Sequence, residues 1–249
     1  MSYLKFEKAL MTNLQESLPK ELLRTNRSGA YSCSTIVDCN TRKYHGLLVV
    51  PVPELDGDNH VLLSSLDPTV IQHGAEFNLG LHKYQGNNFS PMGHKYIREF
   101  DCDKVPTTLY RVGGVILKKE VVFQHYEDRI LIRYTMVDCH SATTLRFRPF
   151  LAFRSVKESI RMQFQIRMVI AFDKEHDTLD ELTIFLQTFL LAGFLSILLK
   201  SPDCPKRNIR LFQFGNIHRD ILSFHEFLIS LHGSLHHQFK VVIFLYREG

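Results

Sequence analysis

The sequence predicts an antiparallel all-β sandwich over residues 1–154, on three observations. Short runs of β-branched and apolar residues recur, each bounded by Asn, Asp, Gly or Pro, which end strands and favour turns. Two adjacent runs alternate their faces on either side of a short polar connection, the pattern of a hairpin. No helical segment separates the later runs, so the sheets are expected to pack on each other.

The strands follow in order. SCSTIVD (32–38), HGLLVVPV (45–52) and HVLLSSL (60–66) come first, then AEFNLG (75–80), HKYIREF (94–100) and TTLYRV (107–112). The hairpin is formed by residues 115–124 and 129–138, joined by His125, Tyr126, Glu127 and Asp128. In its second strand Ile130, Ile132 and Tyr134 share one face, while Arg129, Leu131 and Arg133 share the other. TTLRFRPFLAF (143–153) continues the series, with Arg146 and Arg148 alternating against Leu145 and Phe147. Gly113-Gly114 reads as a turn and is too short for a phosphate loop.

After about Ser155 the character changes. Residues 155–249 are expected to form a divergent or frame-shifted tail with no recognisable domain, poorly defined and in part helical. Its most apolar stretch, TIFLQTFLLAGFLSILLK (183–200), is near the lower limit of length for a membrane span. The polar Gln and Thr within it favour a buried helix or an aggregation-prone segment, so a membrane partner is not expected.

Composition narrows the function. The 45% hydrophobic and 22% charged content are those of an ordinary globular protein. A net charge of +4 with no long Lys/Arg run argues against nucleic acid. The five cysteines form no C-x-x-C pair and are odd in number, which suggests neither zinc nor a full disulfide set. With no signal-peptide core at the N-terminus, reduced thiols and a cytoplasmic location are expected. Among possible chemistries, Glu120, Glu127 and Asp128 look solvated, and Asp67 and Glu76 offer no convincing acid and base pair. His232, His236 and His237 lack a carboxylate partner for zinc, and no nucleophile motif is present. No catalytic residue, metal or cofactor is assigned.

One stretch stands apart. CNTRKYHGLLVV (39–50) packs a cation, a phenol and an imidazole into a connection that needs none of them for turn geometry. A plain turn covering the end of the sandwich is one reading. The functional reading is a polar binding loop. In it Arg42 donates forked hydrogen bonds to vicinal hydroxyls, Tyr44 stacks on a sugar face, His45 donates or accepts, and Asn40 and Thr41 hold the turn. Gly46 would let the backbone pass close to a ligand or a neighbouring strand.

Residues 26–52, NRSGAYSCSTIVDCNTRKYHGLLVVPV, closely resemble the start of the bacterial and archaeal type of glycogen debranching enzyme, the amylo-α-1,6-glucosidases. The family pattern, approximately T-N-G-x-G-G-Y-x-x-x-T-x-x-x-x-N-T-R-x-Y-H-G-L-L-V, is met at Thr25, Asn26, Gly29, Tyr31, Thr35, Asn40, Thr41, Arg42, Tyr44, His45, Gly46, Leu47 and Leu48. Arg27 and Ala30 stand where Gly is expected, and LLSSLDPTV (62–70) looks like a strand-turn-strand segment of the family. The resemblance implies a supersandwich-like N-terminal domain, residues 1–154. It further implies that the catalytic carboxylates lie in a following (α/α)6 barrel, too large to fit in this chain. The expected function is thus a non-catalytic domain contributing to binding of glycogen or branched α-glucan and to the mouth of the α-1,6-glucosidase site. The alternative is a stand-alone carbohydrate-binding or domain-docking module. The absence of Trp counts against a carbohydrate-binding module, although Tyr31, Tyr44, Tyr84 and Tyr96 offer rings.

Overall fold

A computed structural model describes residues 4–53, 56–157, 164–165, 168–171 and 240–247. The apolar stretch 183–200, expected as a buried helix or an aggregation-prone segment, and the histidines of 232–237 lie outside the described residues, as does most of the expected tail. The N-terminal segment forms β1 (Lys5–Glu7), α1 (Lys8–Thr12) and α2 (Leu14–Ser17), none of them anticipated from the sequence. The strands β2 (Glu21–Thr25), β3 (Tyr31–Thr35), β4 (Gly46–Pro51), β5 (Asn59–Gln72) and β6 (Ala75–Asn78) follow. A small hairpin, β7 (Leu81–Lys83) and β8 (Phe89–Met92), precedes β9 (Ile97–Cys102), β10 (Pro106–Val112), β11 (Val115–Phe123), β12 (Arg129–Cys139) and β13 (Thr143–Ser155). Short strands β14 (Phe164–Gln165) and β15 (Met168–Ala171) pair with β13, and β16 (Lys240–Arg247) runs parallel to β12.

Two sheets carry the architecture. One has the order β1-β9-β10-β11-β12-β16; the other runs β14-β13-β5-β4-β3-β2, with β15 on β13 and β6 on β5. Every described pairing except β12–β16 is antiparallel. The all-β antiparallel sandwich expected from the sequence is therefore the fold. Its core draws Leu117, Ile130, Ile132 and Tyr134 from one sheet and Leu48, Leu62, Leu63, Leu145 and Phe147 from the other. The Tyr134 and Phe147 rings meet across it with centroids 4.9 Å apart. The 115–138 hairpin forms in the expected pairing, and Gly113 (φ 56) and Gly114 (φ 81) turn β10 into β11. Positive φ at both central residues matches the right-handed twist of the flanking strands.

Residues 62–70 depart from the strand-turn-strand expectation. They lie within the single fourteen-residue strand β5, Pro68 included. The reason is a change of partner. β4 pairs with β5 as far as Leu63 and β6 takes over at Thr69, so Pro68 sits in the interval where that edge has no ladder to break.

A polar link ties the sheets together at the loop after β2. Asn26 is fully buried. Its Oδ1 accepts from the N–H groups of Ser28 (2.9 Å) and Ala30 (3.0 Å), and its Nδ2 donates to the Glu127 carbonyl (3.1 Å) and Asp128 Oδ1 (2.8 Å). Its own carbonyl accepts from Tyr126 N–H. Every polar atom is thus used, as a buried amide requires. Arg27, where the family pattern has Gly, lies at φ 69, and this left-handed backbone explains the family's preference. Asn26→Ala is expected to cost about 3 kcal/mol, because it strands the buried Ala30 N–H, removes the Ser28 bond and frees the opposite turn. Urea denaturation with unchanged slope would measure it; a loss below about 1 kcal/mol would contradict this role.

Candidate functional site

The connection between β3 and β4 is held from several sides. A turn closes first, with Asp38 N–H on the Thr35 carbonyl (2.9 Å) and Asp38 itself at φ 57. Thr35 Oγ1 donates to the Cys39 carbonyl (3.0 Å) and accepts its N–H (2.9 Å). Asn40 anchors the loop to β5, its Nδ2 donating to the Ser64 carbonyl (2.8 Å) and its Oδ1 accepting from Ser34 Oγ (2.8 Å). The guanidinium of Arg154 donates to the Lys43 carbonyl, and Tyr31 Oη donates to the Tyr44 carbonyl at 3.0 Å. Burial pushes the Tyr31 phenol up to about 12, which keeps that donor protonated. Gly46 then enters β4 where a Cβ would lie 2.7 Å from Val49 Cγ2 and 2.8 Å from Val61 Cγ1. The close approach that Gly46 permits is to a neighbouring strand.

Asp38 reaches across to the other sheet. Its Oδ2 accepts from Lys119 Nζ (2.7 Å), while Tyr110 Oη lies 3.4 Å away. Lys119 is buried and needs this counter-charge. The loop is therefore tied to both layers of the sandwich.

The side chains singled out by the sequence divide into two groups. Thr41, Arg42 and Tyr44 are exposed, whereas His45 is fully buried and Asn40 is half-buried. Arg42, Tyr44 and His45 converge on a residue that the sequence reading did not single out, Glu21 of β2, whereas Asn40 and Thr41 do not reach it. Arg42 Nε contacts Glu21 Oε1, Tyr44 Oη lies 3.5 Å from Oε2, and His45 Nε2 lies 3.4 Å from Oε1. The Arg42 hydrogen bond holds the Glu21 carboxyl below its ordinary range, against the upward push of partial burial. The Tyr44 and His45 rings meet edge to face at 5.2 Å. The Glu21–Arg42 pair is compensated in charge, and with an exposed phenol beside it the surface suits a neutral, hydroxyl-rich ligand.

Glu21, Cys33 and His45 bring one ligand atom each within 4.8 Å of the others, a spacing open to a metal ion. Their chemistry does not fit one. Thr41 N–H donates to His45 Nδ1 at 3.1 Å, so the neutral ring carries its proton on Nε2, the nitrogen a metal would need bare. Burial raises the Cys33 thiol, opposing the thiolate, and Arg42 already occupies the carboxylate.

Glu21 left little trace in the sequence, since an acidic residue at the start of a strand has no distinctive spacing. Arg154 did leave one: a cation ending the apolar run FLAF needs a polar partner when buried. The paired carboxylates of the hairpin prove to be ion-pair partners, Glu120 with Arg133 and Glu127 with Arg129. Asp67 and Glu76 are likewise held, by His82 and Arg146.

Two measurements test this arrangement. Asp38→Asn is expected to destabilise by about 2 kcal/mol by leaving Lys119 uncompensated, and adding Lys119→Met should recover most of that loss. Additive losses in the double mutant would refute the pairing. Burial lowers the His45 pKa, so the unfolded chain takes up its proton first as the pH falls. This contribution to stability is complete above the ordinary imidazole value of about 6.5 and declines as the pH drops from there toward the lower folded value. His45→Asn, which offers Thr41 N–H a non-titrating acceptor, should flatten that part of the stability profile; an unchanged profile would exclude His45 as the source.

No helix among the described residues is long and apolar enough to cross a membrane. Comparison with curated proteins and with solved structures finds no match. Comparison with protein-family models finds the glycogen debranching enzyme N-terminal family over residues 20–186, which takes in the loop, strands β2 to β15 and a stretch beyond residue 154. With well over half of its 249 residues matched, the chain belongs to the glycogen debranching enzyme N-terminal family.

Proposed function

We propose that residues 1–154 act as the non-catalytic N-terminal domain of an amylo-α-1,6-glucosidase, working in the cytoplasm on glycogen or a related branched α-glucan. The domain contacts glucan and packs against an (α/α)6 barrel that carries the acid and base. It thereby shapes the mouth of the site where the α-1,6 bond is cleaved. The carrying observation is the loop at Glu21: Arg42 and Tyr44 stand exposed on a backbone held at Lys43 and Tyr44 from beneath.

In this reading Tyr44 lies against a pyranose face, and Arg42 and Thr41 bond ring hydroxyls. His45 and Asn40 position the turn from below. A preformed loop loses little conformational freedom on binding, which suits a weakly bound neutral polymer. No cofactor is required of this domain.

Affinity electrophoresis through branched dextrin tests the reading. The purified chain should be retarded, and Tyr44→Ala or Arg42→Ala should weaken retention about fivefold, the loss of one stacking or hydrogen-bonding contact. Unretarded wild-type chain would overturn glucan contact. In the same preparation, an α-1,6-glucosyl dextrin should release no glucose until the separate barrel is added. Release by the chain alone, abolished by a single carboxylate substitution, would overturn the non-catalytic assignment.

A further inference from the structure

A second feature lies away from the Glu21 loop, where the β10–β11 turn, the start of α1 and the turn before β9 meet. They enclose a cleft of about 370 Å³ lined by Lys8, Lys95, Arg98, Arg111, Tyr96 and the Gly113-Gly114 turn, with Val112 at its wall. Four cations face one concavity, and none of them makes an ion pair among the described residues. The carboxylates adjacent in sequence do not line the cleft, and Glu99 is held by Lys5 at 2.9 Å. A chain whose whole net charge is +4 thus gathers four positive groups at one place with no carboxylate paired to them among the described residues.

The mutual repulsion of these groups is relieved by an anion, and two arginines supply the forked donors that a phosphoryl group accepts. A Cβ added to Gly114 would meet nothing within 4 Å, so the backbone of the turn is open to close approach by a ligand. The half-buried Tyr96 ring, braced edge to face by Phe77 at 6.0 Å, adds an apolar surface beside the charges. The volume is at the lower end of small-molecule sites, roughly 300–1,000 Å³, and suits one phosphorylated sugar unit.

We infer that this cleft binds a hexose phosphate monoester, its phosphoryl group among Lys8, Lys95, Arg98 and Arg111 and its ring against Tyr96. The sugar half of the inference rests on the glucan reading; the anionic half does not. The ester is either a free hexose phosphate or a phosphate carried on a glucan chain.

Calorimetric titration of the full chain with glucose 6-phosphate, inorganic phosphate and glucose tests the inference, alongside retention on phosphate-bearing and enzymatically dephosphorylated glucan. Glucose 6-phosphate should bind more tightly than inorganic phosphate, glucose should show no binding at this cleft, and affinity should fall as salt is added. The double substitution Arg98→Gln/Arg111→Gln, at exposed positions, should weaken glucose 6-phosphate binding at least about tenfold. It should leave the circular dichroism spectrum and the retention on dephosphorylated glucan unchanged. Binding of free ester without preference for phosphate-bearing glucan identifies the small molecule, and preference for phosphate-bearing glucan identifies the polymer-borne ester. Equal affinity for inorganic phosphate and glucose 6-phosphate would reduce the cleft to a general anion site and overturn the inference. Absence of binding by any phosphate probe, or full affinity in the double variant, would overturn it as well. Either failure leaves the Glu21 loop's contact with glucan to be judged on its own electrophoretic result.

Discussion

The sandwich depends on how Asn26 is satisfied. An amide with no exposed surface must find partners for both its oxygen and its nitrogen, and Asn26 finds them on opposite sheets. Its oxygen gathers the chain between β2 and β3, while its nitrogen holds the turn between β11 and β12. Apolar packing brings the two layers together without fixing their offset, since the hydrophobic effect has no direction. Hydrogen bonds at a defined point do fix it. Asp38 and Lys119 make a second such link from the β3–β4 loop.

Between these two links runs β3, and beyond it the loop that carries Arg42 and Tyr44. Its exposed side chains are displayed by a backbone whose carbonyls are bonded from below by Arg154 and Tyr31. The polar residues of the motif therefore do two different jobs. Asn26, Thr35, Asn40 and His45 turn inward and bond the backbone or nearby side chains, His45 through Nδ1, while Thr41, Arg42 and Tyr44 remain at the surface. One string of residues encodes both the support and what it supports.

That double use explains what was legible in the sequence and what was not. A strand with strong alternation, such as β12, could be read with its faces, because burial on one side imposes a period of two. The continuity of β5 through Pro68 could not be read, since it depends on β4 and β6 dividing one edge between them. Nor could the burial of His45 beside an exposed Tyr44: both are polar aromatics in a polar run, and only the Thr41 hydrogen bond and the packing distinguish them. Glu21 was silent for a related reason, as its partners are about twenty residues away.

Glu21 also sits on β2, the last strand of its sheet, which pairs with β3 on one side only among the described residues. An uncovered strand edge invites another chain to extend the sheet, and charged side chains are a common deterrent. Here the deterrent and the scaffold of the loop share one carboxylate. Self-association through this margin and the posture of Arg42 are consequently not independent: a neighbour that stacked along β2 would have to contend with the same group that steadies the loop. The protection of the sheet margin and the posture of the loop thus meet at a single side chain.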